Sequence, residues 1–186
     1  MAIVQRNEVI LDLCGGTGAW SKPYVDNGYT VRILTKPSTD IRLLEKIQDV
    51  VIHGILAAPP CTHLAGSGAR WWSAKGEPAL LEALSIVDAC IRIVAVHKPK
   101  WWCLENPVGR LSRYLGKPRE YFDPCDYGDP YTKKTCLWGK FTMPPKSRVD
   151  PMLGSVMHLL PPSENRAALR SITSSRFALA FFKVNP

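Results

Sequence analysis

Between residues 8 and 106, short apolar runs and helical patterns take turns. EVILDL, from Glu8 to Leu13, reads as a buried strand that ends in a glycine turn. AWSKPYVDNGY supplies a short helix, with Gly28 as its stop. YTVRILT alternates like a second strand, and DIRLLEKI is a short helical connection. VVIHGILAA is a third strand, apolar enough to be covered on both faces. From Glu77 to His97 apolar residues recur at spacings of three and four, which predicts the longest helix, and WWCLEN is a fourth strand. A β-α-β-α-β-α-β alternation folds as an α/β, doubly wound, mostly parallel sheet. Beyond Asn106, YFDPCDYG and TCLWGKF read as short strands, a hairpin at the sheet edge. The stretch 142–163 is proline-rich and reads as a surface loop, and SENRAALRSI and SSRFALAFFKV read as helices, each opened by a serine able to cap.

In an open parallel sheet, ligands bind beyond the carboxyl ends of the strands. Strands one, three and four end in DLCGGTG, PPCTH and ENP, so all three stretches are expected to line one rim. The glycine turn lets a ligand approach the backbone at Gly16 and Gly18. It departs from the dinucleotide fingerprint, because Ser21 stands at the third glycine position, and no phosphate-loop motif occurs in the chain. Pro59 and Pro60 fix the backbone just before Cys61, which predicts a rigidly presented thiol in a polar loop. Glu105 follows the apolar run WWCL at a strand end, where a free carboxylate is costly unless partnered. A thiol and a carboxyl on one rim suggest a nucleophile with an acid or base.

The chain of 186 residues, 46% of them hydrophobic, points to a single domain over 1–186, within which 109–163 is left unassigned by the alternating pattern. No apolar run is long enough to span a bilayer and the first residues lack a signal-peptide layout, so a soluble cytoplasmic protein with no membrane partner is expected. None of the six cysteines forms a C-x-x-C pair, which favours free thiols over a disulfide framework or a metal site. A net charge of +8 favours a polyanionic partner. Trp71 and Trp72 either stack on bases or pack as partial core.

DLCGGTGAW, PPCT and ENP, in this order, resemble the DNA cytosine-5 methyltransferases, and AAPPCTH and KKTCLWGK are similar to small, phage-type members of that family. The resemblance covers residues 8 to 107. It implies S-adenosylmethionine as cofactor, DNA as partner and, for a phage-encoded chain, the bacterial host cytoplasm. It implies catalysis by Cys61, which would attack C6 of cytosine, and by Glu105, which would bond N3 and the exocyclic amine, while Asn106 would orient the loop. A cofactor site of Asp12, Cys14, Gly16, Thr17, Gly18, Trp20, Asp40, Ile41 and Pro59 is implied, with Asp40 at the adenine. A substrate site of Pro60, Thr62, Trp71, Trp72, Lys133 and Lys134 is implied as well.

The departures are specific. The acid that ends the family's second strand and binds the ribose is replaced by Thr35 and Lys36. The family's Gln-x-Arg-x-Arg segment is missing, and YTKKTCLW lies in its place. The resemblance thus implies a single catalytic domain over 1–186 in which the large target-recognition region is absent or minimal, with 109–163 as a reduced substrate-recognition region, so a short or relaxed target is expected of a monomer, and a homodimer would double the footprint. Two other readings stay open: the same chemistry on RNA or a free pyrimidine nucleotide, and a nucleic-acid-binding module without catalysis.

Overall fold

A computed structural model describes residues 8–156, 159, 161, 163 and 166–186. Six strands form one sheet: β1 (Glu8–Leu13), β2 (Thr30–Leu34), β3 (Val51–Ala57), β4 (Trp101–Pro107), β5 (Glu120–Phe122) and β6 (Thr135–Lys140). Their spatial order is β2-β1-β3-β4-β6-β5, with the first four parallel and β6 alone running opposite to its neighbours β4 and β5. The expected edge hairpin is therefore the β5–β6 pair.

Side chains alternate along the strands into two cores, as period-two geometry requires. Val9, Leu11 and Leu13 of β1 pack with Ile55, Leu104 and the buried side of α2 (Trp72–His97). Ile10, Leu56 and Cys103 pack on the other face with Tyr24 of α1 (Lys22–Asp26) and Phe177 and Phe181 of α5 (Ser175–Val184). Covering both faces is what makes the central strands apolar throughout. The strand order reverses at β1, which has β2 on one side and β3 on the other, so the rim between β1 and β3 is the switch point.

α2 is broken at Gly76, whose φ of 68° leaves the helical region, and the continuous helix begins at Glu77 as the periodicity predicts. DIRLLEKI forms only a single 3₁₀ turn at Ile41–Leu43. The Arg92 guanidinium of α2 donates to the carbonyls of Ile41, Arg42 and Leu44, the acceptors that a longer helix would have used. Within 142–156 the chain is irregular but anchored: Ser147 and Val149 donate backbone N–H groups to Asp126 and Cys125. Lys146 and Arg148 pair with the buried Asp126 carboxylate. Ser174 caps α5 through the N–H of Phe177. α3 spans Ser112–Leu115 and α4 spans Arg166–Ser171. The expected start of the α4 helix at 164–165 and parts of 157–162 lie outside the described residues. No described helix is long and apolar enough to cross a membrane.

Candidate active site

The turn after β1 is built on left-handed backbone at Cys14 (φ 59°), Gly16 (52°) and Gly18 (71°). Cys14 donates its N–H to Leu34 at 2.8 Å, which hangs the turn on the end of β2. Gly15 is dictated by its neighbour, since a Cβ there would overlap the Asp12 carboxyl group. Asp12 is fully buried and accepts from Ser21 Oγ at 2.5 Å, while its Oδ1 has no partner among the described residues. Burial pushes the Asp12 carboxyl up to about 6, against the opposing pull of the Ser21 hydrogen bond.

The segment after β3 is tied down on both sides. Ala58 donates to Leu13 at 2.9 Å, and the Asn106 side-chain amide donates to the Pro59 carbonyl at 2.9 Å. Leu64 and Ala65 close a turn onto the Cys61 carbonyl, both at 2.9 Å. Cys61 is thereby held half-buried at a fixed place beyond the strand.

These stretches meet in one cleft of about 590 Å³. Asp12, Cys14, Gly16, Thr17 and Trp20 line it from the first turn, Pro59, Pro60 and Cys61 from the second, and Glu105 from β4. Lys133 enters from the start of β6, and Arg170, Ser171 and Thr173 enter from the C-terminal segment. Burial pushes the Glu105 carboxyl up, with Lys133 pulling it down. Burial, and then the neighbouring Glu105, push the Cys61 thiol up, while Lys133 and Arg170 favour its thiolate. Cys14 differs: a hydrogen bond with the buried Cys90 lowers it and raises Cys90. The charges acting on Cys14 are Asp12, Asp40 and Lys36, so Glu105 is the partner of Cys61.

A second cavity, of about 380 Å³, adjoins the first and shares Cys14 and Pro60 with it. Thr35, Lys36, Thr39, Asp40, Ile41 and Ile86 complete it. The Asp40 carboxylate is engaged by Arg42, and Lys36 lies 3.4 Å away, which together hold it well below the usual carboxylate range. Two cavities joined at a glycine turn fit a cofactor with an amino-acid end and a nucleoside end. The unpartnered Asp12 oxygen fits a cationic group on the first of these. The Asp40–Arg42 pairing leaves less of Asp40 for an adenine amine than the resemblance implies. Among the described residues, no three His, Cys, Asp or Glu side chains gather as a metal site.

The remaining sequence candidates stand around the cleft rather than in it. Gly18 closes the turn onto the Gly15 carbonyl at 2.9 Å. Asn106 is buried behind Pro59. Thr62 is exposed and its carbonyl accepts from Lys75. Trp71 is exposed with the Arg70 guanidinium 5.3 Å from its ring, and Trp72 packs under Arg110 at 4.7 Å. The two lysines part company: Lys133 faces the cleft, and Lys134 lies over Tyr121 at 5.7 Å. Arg170, Ser171 and Thr173 were missed by sequence reasoning. No local pattern marks them, and only the path of the C-terminal segment over the rim brings them in.

Sheet order, two-sided core and rim cleft together define a Rossmann-like methyltransferase fold. A solved structure shares it. The Entamoeba histolytica methyltransferase EhMeth superposes with a TM-score of 0.50 at 12% identity, over 87% of this chain and 62% of that one. A protein described as a DNA modification methyltransferase, encoded within an E. coli prophage, aligns with a TM-score of 0.46 at 18% identity, over 71% of this chain and 46% of that one. This chain thus spans about half to three-fifths of the length of these structures. No protein-family profile matches the chain, and no curated protein matches it by sequence.

Proposed function

We propose that this chain methylates C5 of cytosine in DNA, using S-adenosylmethionine and a covalent bond from Cys61 to C6. The observation that carries the reading is the meeting of Cys61 and Glu105, distant in sequence, in one cleft with the glycine turn. Cytosine C5 is a poor nucleophile until a group adds at C6. Glu105, kept toward its protonated form by burial, donates its proton to N3 as the Cys61 sulfur bonds C6. The Cys61 thiol proton leaves to water, and the resulting thiolate is no longer opposed by a neutral Glu105 and is favoured by Lys133 and Arg170. The C5=C6 electron pair then becomes available at C5. S-adenosylmethionine, when bound, supplies an electrophilic methyl group on a sulfonium sulfur. Asp12, Gly16, Thr17 and Trp20 would hold its amino-acid end, and Asp40 and Ile41 its nucleoside end. Once C5 is methylated, its proton leaves to water and the C5=C6 bond re-forms. The C6–S bond breaks, and N3 returns its proton to the Glu105 carboxylate. Asn106 keeps Cys61 in place through Pro59.

One observation favours a second reading, a nucleic-acid-binding module without catalysis: Asp40 is already committed to Arg42 and Lys36. A mechanism-based trap separates the two. Fluorine at C5 blocks the final proton loss, so 5-fluorocytosine DNA with S-adenosylmethionine is expected to give a denaturant-stable complex with the wild type and none with Cys61→Ser. No complex on DNA, with one on RNA or on the free nucleotide, reassigns the substrate. No complex on any of them refutes the methyltransferase reading.

A further inference from the structure

The segment that joins α4 to α5 is tied down at two points. The Lys133 ammonium donates to the Ile172 carbonyl at 3.0 Å. Two residues on, Ser174 Oγ donates to the Asp129 carboxylate, which also faces the Arg176 guanidinium at 3.5 Å. Lys133 is itself held, since its backbone N–H donates to the Asp123 carboxylate at 2.9 Å. Arg170, Ser171 and Thr173 are thereby fixed at the wall of the cleft that contains Cys61 and Glu105.

The polar groups of this wall have donors to spare. Arg170 is half-buried, and its guanidinium forms no hydrogen bond or ion pair among the described residues. The Thr173 hydroxyl likewise has no partner among them, whereas the Ser171 hydroxyl is taken up by the Ala168 carbonyl at 2.7 Å. Lys133 keeps two ammonium protons beyond the one it gives to Ile172. Neither cation is paired with Glu105 or Asp12. Both stand on the Cys61 side of the cleft: the charges acting on Cys61 are Glu105, Lys133 and Arg170, and the charge acting on Glu105 is Lys133. The charges acting on Cys14, at the glycine turn, are Asp12, Asp40 and Lys36 instead.

We propose that Arg170, Lys133 and Thr173 form a subsite for the phosphate attached to the target nucleotide, so that the cleft recognises a cytidine nucleotide and not the nucleoside alone. The inference rests on the reading of the cleft given above. Burial keeps Glu105 toward its protonated form, so the two cations face one thiolate and one positive charge is left unmatched. The cytosine ring is neutral and does not match it. A phosphodiester carries one negative charge, and its oxygens accept from a guanidinium fork, an ammonium and a hydroxyl together. The carboxylate of a cofactor whose amino-acid end lies at Asp12 and the glycine turn is on the other side of the cleft from these groups.

The test is protection of Cys61 from iodoacetamide, read by peptide mass spectrometry, with deoxycytidine, its 5′- and 3′-monophosphates and inorganic phosphate as ligands and no cofactor. Each protein is compared with its own unliganded rate. One of the monophosphates is expected to protect at a concentration about tenfold or more below that of deoxycytidine, the factor that a hydrogen bond to a charged group supplies. Arg170→Gln should remove most of this preference and leave protection by deoxycytidine unchanged, while Arg170→Lys should keep part of it; unchanged circular dichroism confirms that both variants fold. Monophosphates no better than deoxycytidine, inorganic phosphate as good as the monophosphates, or an undiminished preference in Arg170→Gln overturns the proposal. Calorimetry with S-adenosylmethionine covers the other anion within reach: cofactor binding weakened by Arg170→Gln, with the monophosphate preference intact, would give these groups to the cofactor carboxylate and overturn the proposal. Because protection needs no methyl transfer, a monophosphate preference without the covalent trap would overturn the methyltransferase reading alone, and a trap without the preference would overturn this proposal alone.

Discussion

Asp12 is a buried acid that the fold holds at a cost in stability, and Asp12→Asn measures that cost. The substitution keeps the shape and an oxygen to accept from Ser21 Oγ, but it removes the ionisation. In the folded chain the carboxyl titrates at about 6 instead of 3.8, so burial disfavours its charged form. Stability from this group is therefore full below pH 3.8 and is lost as pH rises toward and through 6. The linkage relation puts the loss at about 1 kcal/mol at pH 4.5 and about 3 kcal/mol at pH 7.5. The new amide N–H group adds a cost that does not vary with pH, about 1–3 kcal/mol if unpaired. The quantity to read is thus the change in the wild-type-to-variant difference between the two pH values. Urea unfolding of both proteins at pH 4.5, 6 and 7.5 should show the variant gaining about 2 kcal/mol on the wild type across that range. Other carboxylates cancel in the comparison. A difference that stays flat with pH, or one that moves against the variant, would refute the argument that Asp12 is ionised and desolvated in the folded state.

Asn106→Ala leaves the Pro59 carbonyl without its donor in a buried place, and a loss of about 1–3 kcal/mol in urea unfolding is expected. Its yield of the 5-fluorocytosine complex should fall while DNA binding is retained; an unchanged yield would remove Asn106 from the positioning of Cys61. Glu105→Gln removes the negative charge that, after burial, pushes the Cys61 thiol up. Iodoacetamide should then modify Cys61 faster at pH 8 in the variant than in the wild type, as read by peptide mass spectrometry, and a slower rate would show that the two groups do not interact.

The sequence carries β1, β3 and β4 plainly, because strands covered on both faces leave unbroken apolar runs and their ends are punctuated by Gly and Pro. Convergence of Asp12, Cys61 and Glu105 on one rim follows from parallel topology alone, before any coordinate is known. What could not be read depends on contacts across the fold. DIRLLEKI has a helical pattern, and it stops after one turn because Arg92, from a helix fifty residues on, takes its carbonyls. Lys133 and Lys134 are indistinguishable in the sequence. They separate because successive residues entering β6 point to opposite sides. Arg170 is one arginine among many until α4 lays it against the cleft.

The cleft is poorly suited to a purely structural role. Asp12 and Glu105 are both buried carboxyls pushed toward their neutral forms by desolvation, in a fold that could bury apolar side chains there with less loss of stability. The two cations that face them, Lys133 and Arg170, reach in from separate elements instead of forming tight ion pairs with either acid, and they favour a thiolate at Cys61. Buried titratable groups gathered in one cleft, shifted by desolvation and by one another, are candidates for acid–base and nucleophilic chemistry. A module that only held nucleic acid would need the cations. It would have no use for a buried carboxyl beside a thiol at the end of a strand. The arrangement therefore supports the proposed chemistry over binding alone.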